Sequence, residues 1–346
     1  MAKDEPDNDN VIQAAKAAKI IASAVYPIVS AFEFEFLKEE EVLRERMDNC
    51  TIYLIVQRPL TYFDNVRTDD SYIYFEITDG LREPLRCRIS LVANEICKVG
   101  ETIDIGVEFL TRAPAQPQPF HDVGAIKIYR KDGSFILWWS PQKLLYELLV
   151  NNLIVETIGD PTAFVDFRVL YIGKAFSQKI WDRLTGHAKM QRIVTAEHPI
   201  GASPEAQARF EVSLILLRAT DFDEMVEIPY QFLTSPDGVA PILHDIDLDD
   251  EQAMERFMFQ PFAQLGDEAL TREVEAQLIH WFRPEYNEVK FENYPEIKGG
   301  MRSKGYSWTE LEIDGLPASL HTDHGTWTAI FEMDDENATP SQDDAS

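Results

Sequence analysis

The hydrophobic period changes at Cys50, and that change constrains the fold more than any other feature. Residues 51–56, 72–77, 86–92 and 106–110 are short runs of β-branched and aromatic residues. Polar and turn-forming residues divide them, which is the pattern of strands. Residues 125–129 and 134–139 flank Lys131, Asp132 and Gly133. Asp-Gly between alternating apolar runs signals a hairpin. Prolines 114, 117 and 119 make a loop that cannot continue a central strand. The pattern predicts a small antiparallel β domain over 48–140. Ahead of it, 1–47 reads as an acidic N-terminus followed by helix over 11–47, broken near Pro27.

Ser140 and Pro141 have the cap and first-turn chemistry that starts a helix. Leu144, Leu145, Leu148 and Leu149 follow on one face. A second domain is expected over 141–296, with an insertion at about 223–266. Its strands are expected at 153–158, 168–172 and 211–218, and its helices at 178–187, 250–259 and 268–282. Residues 297–333 read as a two-stranded extension, and 334–346 as a disordered acidic tail.

The chain carries 60 acidic and 32 basic residues, a net charge of -28. That excludes a protein coating nucleic acid with its whole surface. It leaves room for a local basic site. Over 166–193 the basic residues are Arg168, Lys174, Lys179, Arg183, Lys189 and Arg192, against Asp166 and Asp182. The local balance is 6 − 2 = +4. Three cysteines without a Cys-x-x-Cys spacing fit a reducing compartment and argue against a thiolate zinc site. The acidic start is unlike a signal peptide, so a cytoplasmic location is expected. Lys16, Lys19 and Pro27 interrupt the apolar stretch 11–32 and argue against a membrane span. The acidic run after His244 lacks the glycine and far glutamate of a calcium loop, and reads as a loop capping the helix that follows.

Residues 169–175 read as a buried strand ending in Tyr171, Ile172, Gly173 and Lys174. The next predicted helix carries Arg183 and His187, one turn apart. Glu275 lies in an amphipathic helix that closes on Arg283, Pro284, Tyr286 and Asn287. Over roughly 150–290 this arrangement resembles the GIY-YIG nuclease superfamily.

The resemblance implies an α+β fold: a small antiparallel three-stranded sheet with helices, preceded by a helical and β-rich N-terminal domain. It implies a metal-dependent endonuclease that hydrolyses nucleic acid, DNA favoured, with Mg²⁺ or Mn²⁺ held by Glu275. Tyr171, Arg183, His187 and Glu275 are the implied catalytic set. Gly173, Lys174 and Asn287 are the implied substrate-binding set. The family's first tyrosine is missing from 153–160, where the register would set Val155 or Glu156 opposite Tyr171. Either Glu156 substitutes, or His187 acts alone, or the site binds without cutting. Further alternatives are a non-catalytic nucleic-acid-binding module and an acidic scaffold for protein partners. In the nuclease reading the β domain selects substrate or binds a protein partner.

Overall fold

The computed structural model describes residues 10–26, 28–30, 33, 41–111, 117–175, 192–193, 195, 197, 209–229, 239–259 and 267–329. Two large sheets dominate it, of nine and seven strands. This corrects the expected α+β architecture with its small three-stranded sheet: the described chain is mainly β and mainly antiparallel.

The nine-stranded sheet is centred on β1 (Val11–Ala24), β12 (Phe210–Pro229), β3 (Ile52–Pro59) and β11 (Asp166–Lys174), all antiparallel neighbours. The short strand β2 (Val29–Ser30) pairs with β12, and β13 (Leu243–Asp247) pairs with β1. Two late strands enter in parallel: β14 (Trp308–Asp314) beside β1, and β15 (Ser319–His321) beside β11, with β16 (Thr326–Thr328) folded onto β15. Residues expected to form a separate C-terminal extension are therefore part of the main sheet.

The expected helix over 11–24 is strand β1. Its alanines favour helix by a few tenths of a kcal/mol each. Tertiary burial decides otherwise. β1 is hydrogen-bonded to β12 on one side and to β13 and then β14 on the other. Ala14, Ala15, Ala17, Ala18 and Ala22 are all buried, so small side chains suit a strand covered on both faces. Lys16 is buried with them; its Nζ donates to the Phe257 carbonyl at 2.8 Å and lies 4.2 Å from the ring centroid.

The seven-stranded sheet is formed by β4 (Tyr62–Thr68), β5 (Ile73–Thr78), β6 (Leu85–Ile89), β7 (Ile103–Phe109), β8 (Val123–Arg130), β9 (Phe135–Trp139) and β10 (Glu156–Ile158). The hairpin expected at Asp132-Gly133 joins β8 to β9, with Gly133 at φ +85°. The helix α2 (Pro141–Leu149) is capped as expected: Ser140 Oγ accepts from the Lys143 amide at 3.1 Å. One apolar core runs through both sheets. Among the described residues the other α-helices are α1 (Glu41–Met47), α3 (Glu251–Phe259) and α4 (Asp267–Phe282). Among the described residues no helix is long and apolar enough to cross a membrane.

All of β4 to β10 lies, in sequence, between β3 and β11, which are hydrogen-bonded neighbours. A buried ion pair secures this junction. Arg58 on β3 donates from Nε to Glu211 Oε1 on β12 at 2.5 Å. Its remaining nitrogens reach the Phe164 carbonyl and Thr61 Oγ1, and its guanidinium lies 4.9 Å from the Phe167 ring centroid. Burial raises the Glu211 pKa, with Arg58 opposing. Removing one partner of a buried pair leaves an uncompensated charge. Arg58→Met should lower unfolding free energy in urea by about 3–5 kcal/mol. Adding Glu211→Leu should recover most of the loss.

Glu273 on α4 is a second buried carboxyl, 1% exposed. The Thr309 hydroxyl donates to Oε1 at 3.3 Å, yet burial dominates and raises its pKa. A raised folded-state pKa destabilises the fold as pH climbs from the unfolded-state carboxyl value through the folded one. Glu273→Gln should therefore gain stability over wild type at pH 8 and lose that advantage at pH 3, read as the difference in urea midpoints.

Candidate functional site

Strand β11 carries the first motif. Its residues 171–174 alternate across the sheet. Tyr171 and Gly173 face one core cluster, which contains Tyr53, Ile55, Leu214 and Leu216. Ile172 faces the larger cluster under α4, and Lys174 points to that side.

Opposite β11 lies β3, not residues 153–158. Tyr171 pairs with Ile55, and Gly173 pairs with Tyr53. This corrects the expectation that Val155 or Glu156 opposes Tyr171. β10 pairs instead with β6, and Glu156 is bound to Arg88 there. Glu156 therefore does not replace the missing tyrosine. The tyrosine on the partner strand is Tyr53, 171 − 53 = 118 positions upstream.

Gly173 has a steric reason to be glycine. A Cβ there would lie 2.6 Å from Cζ and Oη of Tyr53 and 2.8 Å from Cε1 of Tyr171. The two tyrosine rings lie 6.0 Å apart at 42°. Tyr53 is fully buried and Tyr171 half-buried. The bare backbone of Gly173 lets both rings close over the end of β11.

Glu275 stands on the sheet-facing stripe of α4 with Thr271, Leu278 and Phe282, all buried. Its side chain keeps 18% exposure, and Lys174 forms an ion pair with its Oε2. Lys174 and Glu275 thus come together, while Tyr171 and Tyr53 lie across the sheet from them. The two sets share four consecutive residues of one strand, 171–174.

Residues 283–287 close the edge of β11. β15 pairs with β11 only over Asp166–Arg168. Beyond that, the Tyr286 amide donates to the Leu170 carbonyl at 3.1 Å. Asn287 then acts as a strand substitute. Its Oδ1 accepts from the Ile172 amide at 2.9 Å, and its Nδ2 donates to the Ile172 carbonyl at 2.8 Å. Asn287 is buried, and both ends of its amide are used, so the geometry assigns it to positioning β11. Arg283 takes a left-handed backbone, φ +45°, where α4 gives way to Pro284. Tyr286 Oη donates to Glu197 Oε1 at 2.8 Å. Burial and then Glu197 push its pKa up to about 12, so this phenol keeps its proton at neutral pH.

Arg183 and His187 lie outside the described residues, as do Lys179 and Lys189. Of the described members of the basic island, Arg168 pairs with Glu285 at 2.9 Å and Glu197 at 3.8 Å, and Lys174 pairs with Glu275. Part of the expected positive charge is thus neutralised locally. Among the described residues no group of three or more His, Cys, Asp or Glu is arranged to hold a metal. Asp250 caps α3 as expected, accepting from the Gln252 amide at 3.1 Å, but the residues from His244 to Asp247 belong to strand β13 and not to a loop.

No family model, curated protein or solved structure matches the chain.

Asn287→Ala would strip two buried backbone groups of their partners. The expected cost is about 2–4 kcal/mol in urea unfolding. Faster hydrogen exchange at the Ile172 amide would mark the loss at its source.

Proposed function

We propose that this chain is a metal-dependent endonuclease of GIY-YIG type, acting on nucleic acid with DNA favoured. The observation that supports it is the meeting of Lys174 on β11 with Glu275 on α4, two members of the implied set brought together from positions 101 residues apart. The β3–β11 pairing also sets a tyrosine, Tyr53, on the strand beside β11, where it is fully buried.

Tyr171, half-buried and across the sheet from Glu275 and Lys174, is a positioning residue that holds the end of β11, and the phosphate would lie on the Lys174–Glu275 side. Tyr53, fully buried, is a positioning residue that holds the Tyr171 ring and Gly173. Lys174 and Arg183 would offset charge developing on the phosphate. His187 would take the proton of the attacking water. The water oxygen bonds to phosphorus as the bond to the leaving sugar oxygen breaks.

Glu275 fits a magnesium-type ion. Such ions keep several waters and use one or two carboxylates plus substrate phosphate, and the Glu275 carboxylate is partly exposed. The ion, when bound, would polarise a phosphate oxygen. Lys174 on Oε2 must shift or share that oxygen. The same ion pair favours a second reading, in which the site binds nucleic acid without cutting.

The test is cleavage of supercoiled plasmid with Mg²⁺ or Mn²⁺, beside Mn²⁺ binding followed by electron paramagnetic resonance. Glu275→Ala should abolish both cutting and Mn²⁺ binding. Tyr171→Phe, across the sheet from the carboxylate, should leave Mn²⁺ bound and lower kcat far less than Glu275→Ala does. Intact plasmid with wild type, while DNA is still bound, would overturn the nuclease and favour the binding module.

A further inference from the structure

The solvent face of the seven-stranded sheet is not used by the proposed site. Ile73, Phe75 and Ile77 of β5 and Leu85, Cys87 and Ile89 of β6 point into the core. Their alternates point outward. In one row Arg67 on β4 lies opposite Tyr74, Tyr74 opposite Arg88, and Arg88 opposite Glu156. In the next row Glu76 lies opposite Arg86.

Arginines and tyrosines are interleaved here. The Arg67 guanidinium lies 4.4 Å from the Tyr74 ring centroid, and that of Arg88 lies 5.1 Å from the Tyr72 centroid. The Tyr72 and Tyr74 rings are 5.9 Å apart. Tyr74 Oη donates to Asp69 Oδ2 at 2.9 Å, which fixes the ring. Arg67, Tyr74, Arg86 and Arg88 line an open hollow of about 400 Å³. Arg86 pairs with Glu76 at 3.4 Å and Arg88 pairs with Glu156. With Asp69 at the Tyr74 hydroxyl counted, the three arginines and the three carboxylates of this face give 3 − 3 = 0, in a chain of -28.

We propose that this face binds a single strand of nucleic acid, with bases on the Tyr72, Tyr74 and guanidinium planes and phosphates beside Arg67, Arg86 and Arg88. Planar aromatic and guanidinium surfaces match base faces, and three arginines on a locally neutral face of an acidic chain can donate to phosphates. An acidic peptide would engage the arginines but has no use for the tyrosine planes. The inference extends the nuclease reading by naming where a substrate strand lies outside the cleavage site. It also holds if the chain binds without cutting.

The test is fluorescence anisotropy of a fluorescein-labelled twenty-nucleotide oligo-dT in EDTA, from 50 to 200 mM NaCl. Metal chemistry is silent there. The triple variant Arg67→Gln, Arg86→Gln, Arg88→Gln should raise Kd at least about tenfold and flatten the log–log salt slope by about 2. Tyr74→Leu should weaken binding about fivefold or more, and Tyr74→Phe should restore it. Arg86→Gln alone, on a side chain 68% exposed, should weaken binding about threefold without changing the melting temperature. Wild-type Kd and salt slope in the triple variant would overturn the proposal. So would polyglutamate displacing oligo-dT at equal charge, which would mark a surface that reads charge alone. Plasmid cutting by the same proteins separates the two ideas. Cutting with unaltered oligo-dT binding sinks only this face. Arginine-dependent binding without cutting sinks only the nuclease.

Discussion

Strand β3 is hydrogen-bonded on both sides, to β12 and to β11, and all eight of its residues are buried. Its register carries the rest of the structure. Tyr53 and Ile55 belong to one face; Leu54, Val56 and Arg58 belong to the other. A slip of one residue would exchange the faces. Tyr53 would leave Gly173, and Arg58 would lose Glu211 and the Phe164 carbonyl. The Arg58 pair makes such a slip costly, because each alternative register buries a charge without its partner. A strand with this much at stake can accept a long excursion between itself and its neighbour. Closing a longer loop costs only about 0.6 kcal/mol per doubling of its length.

The candidate site is built on backbone as much as on side chains. Gly173 matters because it has no side chain, and Asn287 because its amide imitates a strand. Together they hold the end of β11, where Tyr171 projects to one face and Lys174 to the other. Charge at this end is balanced internally, through Lys174 with Glu275 and Arg168 with Glu197 and Glu285. An incoming phosphate would therefore compete with carboxylates already in place.

Much of the local structure was legible in the sequence. The Asp132-Gly133 hairpin and the Ser140 cap rest on residues within a few positions of one another, so local chemistry decides them. The helix bearing Glu275 and its end before Pro284 were readable for the same reason. Tyr53 had a visible signal too: it lies in the β-branched run 51–56. It was missed because strand pairing was expected between segments close in sequence, which set residues 153–158 beside Tyr171.

By itself, the sequence determined the strand runs from Cys50 onward, the capped helices, the acidic body and the residues at 171–174 and 283–287. Each follows from local propensity, period or charge. Only the tertiary structure decided that Ala-rich 11–24 is a strand, because burial on both faces outweighs a helix preference of a few tenths of a kcal/mol per residue. It alone decided that β14 and β15 enter the main sheet in parallel, and that Tyr53 meets Gly173. Those outcomes depend on hydrogen bonds and packing between residues far apart in the chain, and no local pattern specifies them.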